Sequence, residues 1–125
     1  SGKSKGVGKL NTIWTLIAKF ALTFGAALIA FSVIDNNGLG WVFTLSILAT
    51  ILNYLIGDLY ILPNSNNITA SAADGGLAAL TAFLYGAIST GNDVGLGSLI
   101  TFAFLVAVAE YLFHKYLVEA KKVEP

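Results

Sequence analysis

Residues 39–57 read LGWVFTLSILATILNYLIG, a stretch without a charge in which only Thr44, Ser46, Thr50 and Asn53 are clearly polar. A helix that packs in water carries a polar stripe along one side, and no such stripe can be drawn here. As a helix, about 20 residues cross the roughly 30 Å of a bilayer's hydrocarbon core. The stretch reads as a membrane span. Working outward from it, the span extends over Leu39 to Leu62, and three further apolar runs accompany it: Thr12 to Ile34, Ile68 to Ile88 and Gly95 to Val118.

The connections are short and rich in turn-forming residues: Asp35 to Gly38, Pro63 to Asn67, and Ser89 to Asp93. Such connections join antiparallel neighbours. The expected fold is all-α, an integral membrane four-helix bundle running up-down-up-down. It fills one membrane domain, with spans at about 12–34, 39–62, 68–88 and 95–118 and tails at 1–11 and 119–125. The first apolar run is longer than a signal-peptide core and has no clear cleavage signal, so it is read as a span.

Composition agrees. Of 125 residues, 56% are hydrophobic and 11% charged, against about a quarter charged in a soluble domain, which excludes a disordered chain. Seven lysines balance seven acids and there is no arginine, so no nucleic-acid partner and no bidentate phosphate clamp is expected. Without cysteine there is no disulfide framework, thiolate metal site or thiol nucleophile. Lys3, Lys5 and Lys9 precede the first span, and Lys115, Lys121 and Lys122 close the last. The first and third connections hold Asp35 and Asp93 but no lysine. The positive-inside bias puts both termini of this multi-pass chain in the cytoplasm.

At an offset of 57 residues, Gly38-Leu39-Gly40 matches Gly95-Leu96-Gly97, and Asn53-Tyr54-Leu55 aligns with Glu110-Tyr111-Leu112. The first and third spans match poorly. Two hairpins inserted in the same sense would form a parallel repeat; chance likeness between apolar segments is the alternative.

Five ionisable residues lie inside the apolar runs: Lys19, Asp58, Asp74, Glu110 and His114. Such groups are expensive in lipid and face the bundle interior or a water-filled cavity. At a rise of about 1.5 Å per residue, Lys19 and Glu110 sit roughly 12 Å from the ends of their spans, and Asp58 and Asp74 roughly 7 to 9 Å. All four spans thus contribute to one polar layer on the cytoplasmic side. With His114 neutral its formal charge is minus two, so either a carboxyl carries a proton or a cation is present. Asn53, one turn deeper, needs a hydrogen-bonding partner and is expected to find one between helices. Glu110 and His114 are four apart, a spacing that can hold a metal. A pair of ligands is too few, and a third from Asp58 or Asp74 would be needed, so neither metal nor cofactor is assigned. Tyr54 could hydrogen-bond Asp58 four residues on, though an aromatic at the interface is the simpler reading.

Small residues line the third span: Ala78, Ala82 and Gly86, with Gly75 and Ala79 on an adjacent track. They allow close helix approach, within the chain or, as the alternative, in a homodimer. Trp14 and Trp41 fit interfacial belts, and Lys115 with Tyr116 an interfacial anchor.

The run NYLIGDLYILP at 53–63, followed by ADGGLA at 73–78, resembles the YndM-like family of small four-span membrane proteins from Gram-positive bacteria, over residues of about 11–118. The resemblance implies four-helix topology, a bacterial cell membrane, and Asp58, Pro63 and Asp74 as parts of the family pattern. It supplies neither a substrate nor a catalytic residue. The expected function is binding or passing a proton, a cation or a small cationic solute at the cluster Lys19, Asn53, Asp58, Asp74, Glu110 and His114. A non-catalytic scaffold or envelope-stress accessory is the alternative. No enzyme is expected, because no nucleophile has a nearby base.

Overall fold

The computed structural model describes residues 2–89 and 93–123, with side chains over 12–62, 64–89 and 93–115. Residues 90–92, and the side chains of Lys3, Lys5, Lys9, Pro63, Tyr116, Lys121 and Lys122, lie outside those described. Helix α1 (Gly2–Ala27) continues into a π-helical segment, Leu28–Val33. Helix α2 (Leu39–Leu52) continues into a longer π segment, Asn53–Ile61, and a single 3-10 turn, Leu62–Asn64. Helices α3 (Asn67–Ile88) and α4 (Leu96–Val123) complete the bundle. Among the described residues, four stretches are long and apolar enough to cross a membrane: Thr12–Val33, Leu39–Ile61, Asn67–Ile88 and Leu96–Lys115.

Large apolar side chains, among them Ile17, Phe43, Ile51, Phe83 and Phe104, are exposed on the outside. In water an apolar surface of that extent is a liability; against lipid it costs nothing. Inside, alanines at 27, 30, 49, 78 and 82 are fully buried, and their small size lets the helix backbones draw close. Gly75 marks the tightest approach, since a Cβ there would run into the Ala103 carbonyl of α4. With Ala79 and Gly86 half-buried, the small-residue track is largely spent on contacts within the chain. Phe31 fills the remaining width, edge-on to Phe102 at 5.1 Å and to Trp41 at 5.6 Å between centroids, a favoured aromatic arrangement.

Trp41 stands at the start of its span, at the depth expected of an interfacial belt, with its ring packed against the core. It is half-buried, stacks on Tyr85 at 5.3 Å and donates its Nε1–H to Ser89 Oγ at 2.9 Å. The indole N–H has found a protein acceptor and no longer needs a headgroup. Trp14, by contrast, is 66% exposed.

The two ends of the bundle are built differently. At the end away from the termini, Asn37 clasps the third connection: its side chain donates to Phe31 O and Asp93 O and accepts from the Asp93 N–H, at 3.0, 2.7 and 2.7 Å. Asp35 accepts from the Gly95 N–H at 2.8 Å. Asn36, with φ at 59°, makes the turn that permits this; asparagine tolerates the left-handed region better than most residues. At the other end Asn66 caps α3 by accepting from the Thr69 N–H at 2.8 Å.

Candidate functional site

Lys19 on α1, Asp58 on the second π segment, Asp74 on α3, and Glu110 and His114 on α4 meet inside the half of the bundle that carries the termini. Lys19 Nζ donates to Glu110 Oε2 at 2.5 Å and is ion-paired with Asp58 Oδ2 at 2.9 Å. His114 Nε2 faces three carboxylates, with Asp58 Oδ1 at 3.0 Å, Glu110 Oε2 at 3.3 Å and Asp74 Oδ2 at 3.5 Å. Lys19 and Asp74 are fully buried, and Glu110 and His114 are 1% exposed. The Asp58 side chain, at 10%, is the member nearest the surface.

The π winding places Asp58. A π-helix bonds five residues back, as the Leu62 N–H does to the Gly57 carbonyl. Asn53, Gly57 and Asp58 all turn inward, the first two buried and Asp58 half-buried. Gly57 makes room for Asp74, because a Cβ there would overlap the Asp74 carboxylate.

His114 is held from its other side. Asn67 Nδ2 donates to the Tyr111 carbonyl at 3.1 Å, which orients the amide and leaves its Oδ1 facing His114 Nδ1 at 2.9 Å. Ser71 Oγ donates to the same oxygen at 3.1 Å. A carbonyl oxygen can only accept, so Nδ1 carries a proton and Nε2 is the position turned to the acids.

Two expectations need correction or extension. Asn53 is fully buried, yet neither atom of its amide has a hydrogen bond among the described residues. Thr50, one turn back on the same helix, is likewise buried without a hydrogen bond among the described residues, and Asp58 faces Lys19 and His114 instead. Tyr54 is half-buried, and among the described residues no hydrogen bond joins it to Asp58. Asn67 and Gly57 were not singled out in the sequence. Asn67 stands in a run of polar residues that reads as a connection, and only its position four before Ser71 hints at a helical role.

Asp74 is the anomaly of the site. Both of its carboxylate oxygens lack a hydrogen bond among the described residues although the side chain is fully buried. Leaving a buried polar group unsatisfied costs about 1–3 kcal/mol and calls for an explanation such as a bound ion or water.

Four apolar helices around a buried, acid-rich ionic cluster define a small all-helical membrane protein. The chain belongs to the DUF2512 family, described as protein of unknown function, whose profile matches residues 10–124. It is similar to the uncharacterized membrane protein YndM of Bacillus subtilis (strain 168), 31% identical over 113 residues, which cover 90% of this chain and 63% of that relative's length. No solved structure matches the chain.

Proposed function

We propose that this membrane protein binds a positively charged ligand, a proton, a metal cation or a small cationic solute, in the cluster of Lys19, Asp58, Asp74, Glu110 and His114. The observation that carries this is Asp74: a fully buried carboxylate with no hydrogen bond to either oxygen, in a layer where three acids face one lysine. Lys19 supplies the fixed counter-charge, and Asp58 is the side from which a ligand enters. The positive-inside bias puts the cluster in the cytoplasmic half of a bacterial cell membrane. Binding is favoured over catalysis because His114 faces carboxylates and an amide rather than a hydroxyl or thiol nucleophile. The chain spans 63% of the length of YndM, so any activity of the longer relative needs its own test.

Reconstituted protein is expected to give a saturable ion-binding heat or a flux across vesicles that Asp58→Asn and Asp74→Asn each abolish. If both variants fold and behave as wild type, the proposal is wrong. A second reading, a scaffold whose charged layer fixes helix register, is favoured by the way the Lys19–Glu110 and Lys19–Asp58 contacts tie α1 to two other elements. It predicts that the same substitutions lower thermal stability while heat and flux stay as they are.

A further inference from the structure

Resting on the cation-binding reading, we propose that the cluster is a site for one divalent transition-metal ion, with His114 Nε2 and one oxygen each of Asp58, Asp74 and Glu110 as ligands. One ligand atom from each of these four residues can be chosen so that all lie within 4.8 Å of one another. Around Zn²⁺, bonds of about 2.0–2.2 Å in a tetrahedron separate neighbouring ligand atoms by about 3.3–3.6 Å. The distances from His114 Nε2 to the three carboxylates, 3.0, 3.3 and 3.5 Å, already fall close to that spacing.

Three independent features point the same way. Asn67 receives the Nδ1–H of His114, which turns the other ring nitrogen toward the acids, the outer support that metal-binding histidines ordinarily have. Asp74 is buried, aimed at Nε2 and without a hydrogen bond of its own, so it has ligand capacity that nothing in the described protein uses. The formal charges also close: three carboxylates and Lys19 sum to minus two with a neutral imidazole, and one divalent ion brings the layer to zero. Lys19 holds Glu110 and Asp58 in place as an outer partner. The donor set of one imidazole and three carboxylates, without sulfur, suits Mn²⁺, Fe²⁺ or Zn²⁺ rather than a thiolate-preferring ion. Burial leaves little room for the several waters that Mg²⁺ retains.

The test uses the full chain in detergent after chelator treatment, titrated with Mn²⁺ followed by electron paramagnetic resonance and with Zn²⁺ followed by calorimetry. One ion per chain is expected. Affinity should fall at least tenfold in His114→Gln and Asp74→Asn, fall about 10–100-fold in Asn67→Ala through loss of the outer support, and stay unchanged in the surface variant Thr44→Ala. X-ray absorption of the Zn²⁺-loaded wild type should give one imidazole among oxygen ligands. That measurement decides the matter if the variants fail to fold, and oxygen-only scattering overturns the proposal. Equal metal binding by wild type and His114→Gln also overturns it. If divalent ions do not bind while Na⁺ or tetramethylammonium does so in an Asp74-dependent manner, the metal proposal falls and the broader cation reading stands. If none binds, the metal proposal falls and the broader reading is reduced to proton binding.

Discussion

Lys19 is the residue on which the charge balance of the bundle turns. Its ammonium touches two of the three carboxylates and has no exposure of its own. Removing one partner of a buried ion pair strands the other and costs about 3–5 kcal/mol, whereas replacing the whole pair with apolar or neutral groups is often close to neutral. Lys19→Met is therefore expected to lower the melting temperature of the detergent-solubilised protein sharply, and Lys19→Met with Glu110→Gln to recover most of the loss. A double variant no more stable than the single one would show that the pair is not the source of the effect. At this scale the sequence is informative about depth and poor about partners. Residue count along a helix sets how far Lys19 and Glu110 lie from the span ends, so a common layer can be read directly. Which oxygen faces which nitrogen depends on rotation about four helix axes. The roles of Asn67 and Gly57 arise only from that rotation, and nothing in a single sequence records it.

The element that governs this rotation is the π segment Asn53–Ile61. Over five residues a π-helix returns to within about 50° of its starting face, while an α-helix with 3.6 residues per turn diverges by about 140°. Asn53 and Asp58 can both face inward only because the segment is wound wide. Deleting the exposed Leu55 should let the segment relax to α geometry with both side chains still inward. Inserting an alanine after Leu55 should turn Asp58 away from Lys19 by about 100°. The insertion is expected to lower thermal stability more than the deletion; equal losses, or a larger one for the deletion, would remove the π winding as the device that places Asp58. The span itself was legible because apolar run length is indifferent to winding, which is also why the winding was not legible. The same depth logic links α2 and α4. Buried Leu45, Ala49, Asn53 and Gly57 correspond at the offset of 57 to buried Phe102, Val106, Glu110 and His114. A stripe of inward positions four residues apart produces this coincidence in any two packed helices, and buried Val42, Ser46 and Thr50 fall on half-buried Leu99, Ala103 and Ala107 at the same offset. Asp58 has Lys115 as its counterpart and falls outside that correspondence.

For the whole molecule, the asymmetry between its ends matters most. The end that carries the Asn37 clasp brings two connections together through backbone and amide groups, while the opposite end carries the termini, the Leu62–Asn64 turn and the ionic cluster. The six lysines outside the cluster, Lys3, Lys5, Lys9, Lys115, Lys121 and Lys122, all belong to that opposite end by sequence. Cytoplasmic retention of such flanking charges orients short-loop membrane proteins, so Ser65 should lie in the cytoplasm and Asp93 outside. The chain has no cysteine, so a single introduced thiol gives an unambiguous signal, and both positions are exposed. Asp93→Cys is expected to react with a membrane-impermeant maleimide on intact cells, and Ser65→Cys only after permeabilisation. The reverse pattern would move the cluster to the outer half of the membrane, and a ligand entering past Asp58 would then come from outside the cell. Labelling of both positions from one side would contradict the four-span topology itself, because an odd number of crossings separates the two sites.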